Sequence, residues 1–238
     1  MTTSSTVSTS ALRVNAGAVQ LDGDFTIPTR ARGLVIFAHG SGSSRHSPRN
    51  RSVARALVDG GFATLLADLL TREEEEIDRH SGALRFNIAL LGERVLALVD
   101  AMLRDERTAQ LPIGLFGAST GAAAALLAAA RRPKQISALV SRGGRPDLAG
   151  VALSAVEAST LLIVGQQDPV VIELNEIARR QLRCRSELRI VPRATHLFEE
   201  PGALEEVARL ALEWFGLYLS AAHAKEEGCA KDGIVESK

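Results

Sequence analysis

The sequence predicts an α/β fold, a mostly parallel central sheet with helices on both faces, and three observations carry that expectation. Six short apolar runs recur along the chain, segments of helical period separate them, and glycine, proline or polar residues close the runs. Continuous apolar runs are what strands covered on both faces require, because neither side of such a strand meets water.

Taken in order, residues 1–15 read as a disordered leader, within which Met1–Ser10 is Ser/Thr-rich and without the basic and apolar regions of a signal peptide or anchor. Val19 to Ile27 alternates loosely around Asp22-Gly23, a turn dipeptide, so a β-hairpin is expected there. The six runs are Gly33–Ala38, Phe62–Ala67, Pro112–Phe116, Ser137–Val140, Thr160–Val164 and Leu188–Val191. Leu84, Ile88, Leu91, Val95, Leu98 and Met102 recur at three- and four-residue steps and form one stripe of a long helix. Leu204, Val207, Leu210, Trp214 and Leu217 do the same after the turn signal Pro201-Gly202. Residues 50–59, 120–132 and 171–183 supply further helices, and 69–83, with its run Glu73–Glu76, reads as a solvated loop. Residues 221–238 read as a flexible polar tail, which leaves 16–220 as a single α/β domain.

Composition narrows the function classes. The chain has 238 residues, 46% hydrophobic and 24% charged, enough for one sizeable core. Its formal net charge is zero, which gives no footprint for nucleic acid. No apolar stretch approaches the ~18 residues of a membrane span. The two cysteines, Cys184 and Cys229, are far apart and fit a reducing cytosol better than a disulfide framework. Glu73–Glu76, His46 and His80 offer no compact ligand spacing, and no phosphate-cradling loop or dinucleotide fingerprint follows a strand. The expectation is therefore a cytoplasmic protein acting on a small molecule, with no metal and no cofactor.

In sheets of this kind reactive groups collect in the loops at the carboxyl ends of the strands. Pro112–Phe116 leads into Gly117-Ala118-Ser119-Thr120-Gly121 and then an alanine-rich helix: G-x-S-x-G between strand and helix. A serine lifted onto so sharp a turn sits on strained backbone, and its neighbours must be very small. Asp168 follows Thr160–Val164, and His196 follows Leu188–Val191, giving the chain order Ser, Asp, His. Ser119 is the candidate nucleophile, His196 its base, and Asp168 the residue that orients the imidazole, with Asp147 as the other candidate acid. An oxyanion hole is also needed. Thr120 offers one backbone N–H, and Ser41, in the glycine-rich His39-Gly40-Ser41-Gly42 loop, the second. His39 reads as an organiser of that loop.

With these residues in hand, the chain resembles the α/β-hydrolase superfamily and, within it, the dienelactone-hydrolase-like family, from about Val19 to Leu219. The resemblance is carried by His39-Gly40-Ser41-Gly42, Gly117–Gly121, Asp168 and His196, with a short Ser–Asp interval. It implies the α/β-hydrolase fold without a large cap domain. Dienelactone hydrolases proper carry cysteine where this sequence has Ser119, so the resemblance implies ester or lactone hydrolysis without fixing the lactone.

Arg45, Arg49 and Arg51 cluster beside the expected oxyanion loop, and Arg142 and Arg145 follow another strand end. Guanidinium forks suit carboxylates and phosphates, so Arg45 or Arg142 is a candidate for binding an anionic substrate group. The bland alternative is solvation, or pairing with Glu73–Glu76. The leading expectation is a serine hydrolase cleaving a small ester, lactone or thioester through an acyl-enzyme. Acyl transfer to an acceptor other than water, and a catalytically idle hydrolase fold used as a binding module, remain as alternatives.

Overall fold

The computed structural model describes residues 6–219. Its strands are β1 (Val7–Ala16), β2 (Val19–Pro28), β3 (Leu34–Ala38), β4 (Ala63–Ala67), β5 (Ile113–Ala118), β6 (Ile136–Arg142), β7 (Ser159–Gly165) and β8 (Ser186–Val191). Its α-helices are α1 (Pro48–Asp59), α2 (Arg72–Ser81), α3 (Ile88–Arg104), α4 (Thr120–Arg131), α5 (Pro169–Gln181) and α6 (Ala203–Tyr218), with 3₁₀ turns over Pro146–Ala155. The eight strands form one sheet in the order β1-β2-β4-β3-β5-β6-β7-β8. From β4 through β8 every pairing is parallel, while β1 and β2 form an antiparallel hairpin laid against β4. This is the α/β-hydrolase architecture, and each of the six apolar runs is a strand.

Two cores result. On one face α3, α4 and α5 pack on the sheet, and Ala122–Ala125 of α4 are wholly buried, their small side chains letting that helix lie close to the strands. On the other, α1 and α6 bury Phe37, Phe116, Phe198 and Phe215, with the Phe37 and Phe116 rings 4.9 Å apart. Removing a fully buried phenylalanine of this kind costs about 3–5 kcal/mol.

The amino-terminal expectations need correction. Residues 7–15 are not a disordered leader, since they form most of β1, paired along its whole length with β2. The hairpin turns at Gly17-Ala18, where Gly17 takes the left-handed φ of 69° that a tight turn demands. Asp22-Gly23 lies mid-strand instead: Asp22 accepts a hydrogen bond from Arg13 across the hairpin at 3.2 Å. Gly23 is small for a different reason, because a Cβ there would come within 3.0 Å of Leu65 Cδ1 on β4.

A second correction concerns 69–83. Residues 72–81 are helical, started by a capping box in which Thr71 Oγ1 accepts from Glu74 N–H and Glu74 Oε2 accepts from Thr71 N–H. The helix ends on Gly82 at φ 65°, and Asp78 accepts from the Leu84 and Arg85 backbone, so α2 is pinned to the turn that follows it. That turn contains Leu84, so α3 starts at Ile88, capped by Asn87. Among the described residues no helix is long and apolar enough to cross a membrane. The expected tail, 221–238, lies outside the described residues, as does Cys229.

Candidate active site

The sheet brings Ser119, Asp168 and His196 to its carboxyl edge, after β5, β7 and β8. Ser119 stands at φ 50°, ψ −122°, between the last strand residue and the first helical one. A non-glycine residue in that region stores about 1–3 kcal/mol, which the surroundings must hold in place. They do so through three backbone bonds. Ser119 N–H donates to Arg142 O at 3.2 Å, and Ser119 O accepts from Ala122 N–H and from Arg145 N–H, each at 3.1 Å. The flanking glycines are there for closeness: a Cβ on Gly117 would lie 2.4 Å from Ala122 Cα, and one on Gly121 would lie 2.2 Å from Ala38 O.

Asp168 occupies the N-cap position of α5, yet its carboxylate makes no capping bond. Its Oδ2 accepts instead from His196 Nδ1–H at 2.6 Å, with the aspartate 17% and the histidine 39% exposed at the side chain. A short bond of this kind fixes the tautomer and leaves Nε2 free to accept a proton. The imidazole lies against the strand end beside Ser119: a Cβ on Gly143 would be 3.5 Å from His196 Cε1, and the preceding residue, Arg142, receives the Ser119 N–H. Ser119 Oγ makes no hydrogen bond among the described residues. Asp147, the other candidate acid, is engaged elsewhere, accepting both prongs of the Arg145 fork at 2.9 and 2.8 Å.

The loop after β3 closes over this edge. A Cβ on Gly40 would sit 3.0 Å from Ser119 Cβ, so the two segments touch. Thr120 opens α4, where the first amides have no intrahelical partner and face the site. Ser41 N–H, however, donates to Thr120 Oγ1 at 2.9 Å, tying the loop to the serine turn. His39 is a loop organiser: its Nδ1–H donates to Gly40 O at 2.9 Å, and its Nε2 accepts from Leu69 N–H at 3.0 Å. Burial depresses its pKa and keeps the ring neutral, as that bonding pattern requires.

The arginines divide. Arg45 is not free to bind substrate: its guanidinium is bound to Asp68 Oδ2 and lies 3.6 Å from Asp24 Oδ1, while its backbone N–H donates to Asp68 Oδ1 at 2.7 Å. Its ion pairs are with these two aspartates, and from the Glu73–Glu76 run the Glu75 carboxyl feels its charge; within that run Glu74 pairs with Arg94 and Glu76 with Arg79. Arg51 joins the same cluster through Asp24 at 3.0 Å. Arg142 is the opposite case, 8% exposed with no hydrogen bond on its Nε or Nη1.

Where the sequence suggested a loop over 69–83 that could partly cover the site, α2 builds a helical wall. A cavity of about 170 Å³ lies between the His39–Ser43 loop, Leu70, Glu75, Asp78 and Arg85. Asp78 is locked to Arg85 by an ion pair of 2.5 Å, whereas the Glu75 carboxyl is pushed above its usual range by desolvation and by Asp68. The signal was present, since Thr71-x-x-Glu74 is a helix-start signature. No group of three or more His, Cys, Asp or Glu side chains suited to a metal ion occurs among the described residues.

Comparison with known proteins agrees with this architecture. Two Mycobacterium tuberculosis proteins, from strains CDC 1551 and H37Rv, given the provisional name phosphoribosyl transferase, are 55% identical over 204 residues, 86% of this chain. The chain spans only 45% of their length. The crystal structure of a dienelactone hydrolase from Anabaena variabilis is 56% identical and superposes with a TM-score of 0.88, covering 90% of this chain and 99% of that one. A dienelactone hydrolase-like promiscuous phosphotriesterase from metagenomic libraries shares the fold at 19% identity and a TM-score of 0.73, over 90% of this chain and 99% of its own. The model of the dienelactone hydrolase family matches residues 21–219, and with it the chain belongs to the dienelactone hydrolase family.

Proposed function

We propose that this member of the family is a serine hydrolase that cleaves a small ester, lactone or thioester through an acyl-enzyme. The observation that carries the reading is the 2.6 Å Asp168–His196 bond, formed at the strand edge where Ser119 is held on strained backbone. Ser119 Oγ attacks the carbonyl carbon while His196 Nε2 takes its proton. The same nitrogen then returns that proton to the leaving oxygen or sulfur, and water repeats the cycle to release the acid. Asp168 keeps the ring in the useful tautomer and stabilises the imidazolium.

The negative oxygen of the tetrahedral intermediate is met by Thr120 N–H and by Ser41 N–H, the latter freed from Thr120 Oγ1 when that hydroxyl rotates. Each such donor is typically worth about 3–4 kcal/mol of transition-state stabilisation. The cavity walled by α2 takes one arm of the substrate. The thiol of Cys184 is half-buried, with its pKa raised by that burial, so it is no rival nucleophile; this inert thiol fits a cytoplasmic setting. The phosphoribosyl transfer named for the mycobacterial proteins is not carried over, because this chain spans 45% of their length and its own site is read from Ser119, Asp168 and His196.

A fluorophosphonate probe should label the folded protein once, and peptide mapping should place the adduct on Ser119. Ser119→Ala should abolish both labelling and turnover of p-nitrophenyl acetate. Full turnover by that variant overturns the reading.

A further inference from the structure

Beside the triad the structure holds a positive charge with no counter-charge among the described residues. Arg142 ends β6, and side chains alternate along a strand, so it projects on the same face as Val140, toward the core formed with α1 and α6. There it is 8% exposed, with Nε and Nη1 both buried and unbonded. Arg49, in the first turn of α1, is close enough that its charge, after burial, helps push the Arg142 guanidinium down to about 10. Arg49 Nε is also buried without a partner, and among the described residues its one ion pair is with the exposed Glu199, three residues past His196. No carboxylate among the described residues compensates Arg142. A buried cation normally has a counter-charge, and retaining one without it is costly to the fold.

We infer that Arg142 and Arg49 form a binding site for a dianionic group of the substrate, a phosphomonoester carried on the ester that Ser119 cleaves. Two guanidinium groups that carry buried nitrogens and whose charges act on one another repel until an anion joins them. A phosphate, with three terminal oxygens and close to two charges at neutral pH, satisfies both, whereas a carboxylate fills one fork. Burial restricts the site to a small soluble ligand, since a membrane headgroup could not bring its bilayer this close. The residue is joined to the candidate site through its backbone: the Arg142 carbonyl receives the Ser119 N–H, and a Cβ on Gly143, next along the chain, would lie 3.5 Å from His196 Cε1. The inference rests on the hydrolase reading for the reaction but not for the binding, which is testable alone.

Inorganic phosphate is therefore titrated into Ser119→Ala protein, with thermal unfolding and calorimetry as readouts. Saturable binding with a clear rise in Tm is expected, together with at least a tenfold loss of affinity in Arg142→Met and a smaller loss in Arg49→Met. Should Arg142→Met fail to fold, Arg142→Lys and Arg49→Met carry the test. Phosphate should also compete with p-nitrophenyl acetate in the wild-type enzyme, and a phosphorylated aryl ester should show a KM at least tenfold below that of its neutral analogue. Absence of phosphate binding, binding that the arginine variants leave intact, or equal stabilisation by acetate overturns the proposal. Phosphate binding of the expected kind without any ester turnover leaves the anion site standing and removes the hydrolase reading instead.

Discussion

The two sides of the serine treat their arginines in opposite ways. On the β3–β4 side, Arg45 is clasped by Asp68 and Asp24, His39 bridges two loops as a neutral ring, and Asp78 locks Arg85 to the end of α2. On the β6–β8 side, Arg142 is more deeply buried and has no counter-charge among the described residues, while Arg49 shares only an exposed carboxylate. The first side is internally neutralised and serves as scaffold. The second leaves a buried charge uncompensated among the described residues, and it is the side on which His196 and Asp168 stand.

The widest contrast comes from Asp168→Asn. The amide cannot hold the imidazole in the tautomer that accepts a proton, so kcat for p-nitrophenyl acetate should fall about 10³- to 10⁴-fold. The melting temperature should move by no more than a few degrees, because the aspartate caps nothing. A drop of less than tenfold would mean that the acid of the site lies elsewhere.

A smaller effect, opposite in sign on the two sides, distinguishes scaffold from uncompensated charge. Asp68→Ala strips Arg45 of its closest partner in a half-buried setting and should cost about 1–3 kcal/mol in urea unfolding. Arg142→Met removes a bare buried charge and should leave stability unchanged or raise it by about 1 kcal/mol. If both substitutions destabilise equally, Arg142 is as structural as Arg45 and the comparison fails.

The smallest effect sharpens the scaffold side. Glu75 is desolvated beside Asp68, so it holds its proton more tightly folded than unfolded. Ionising it therefore costs stability as pH rises from the ordinary carboxylate range through its elevated folded value. Glu75→Gln should be slightly stabilising at pH 7, with the gain gone well below pH 4, as followed by thermal melts across that range. A gain independent of pH would show that charge is not its cause.

How far the sequence could be read follows from what each signal depends on. Ser119, Asp168 and His196 were legible because each follows an apolar run, and strand order alone carries them to one edge. β1 was not, because it is an edge strand whose buried side chains are only Val14 and Ala16, too few to mark a period among serines and threonines. Asp22-Gly23 has the composition of a turn, but its glycine answers to Leu65 on a strand some forty residues away. α2 was hidden by four consecutive glutamates, although the cap at Thr71 announced it. The fate of Arg45 depended on Asp24 and Asp68, which only the closed sheet brings to it, and no local pattern encodes that meeting.

One peptide unit, that of Arg142, is anchored to the Ser119 amide by its carbonyl and followed by the glycine beside which the His196 imidazole lies. Engineering aimed at uncharged cargo thus has a narrow route here. The residue's backbone has to stay put while only its side chain is exchanged, since any displacement of the strand end would be felt at once at Ser119.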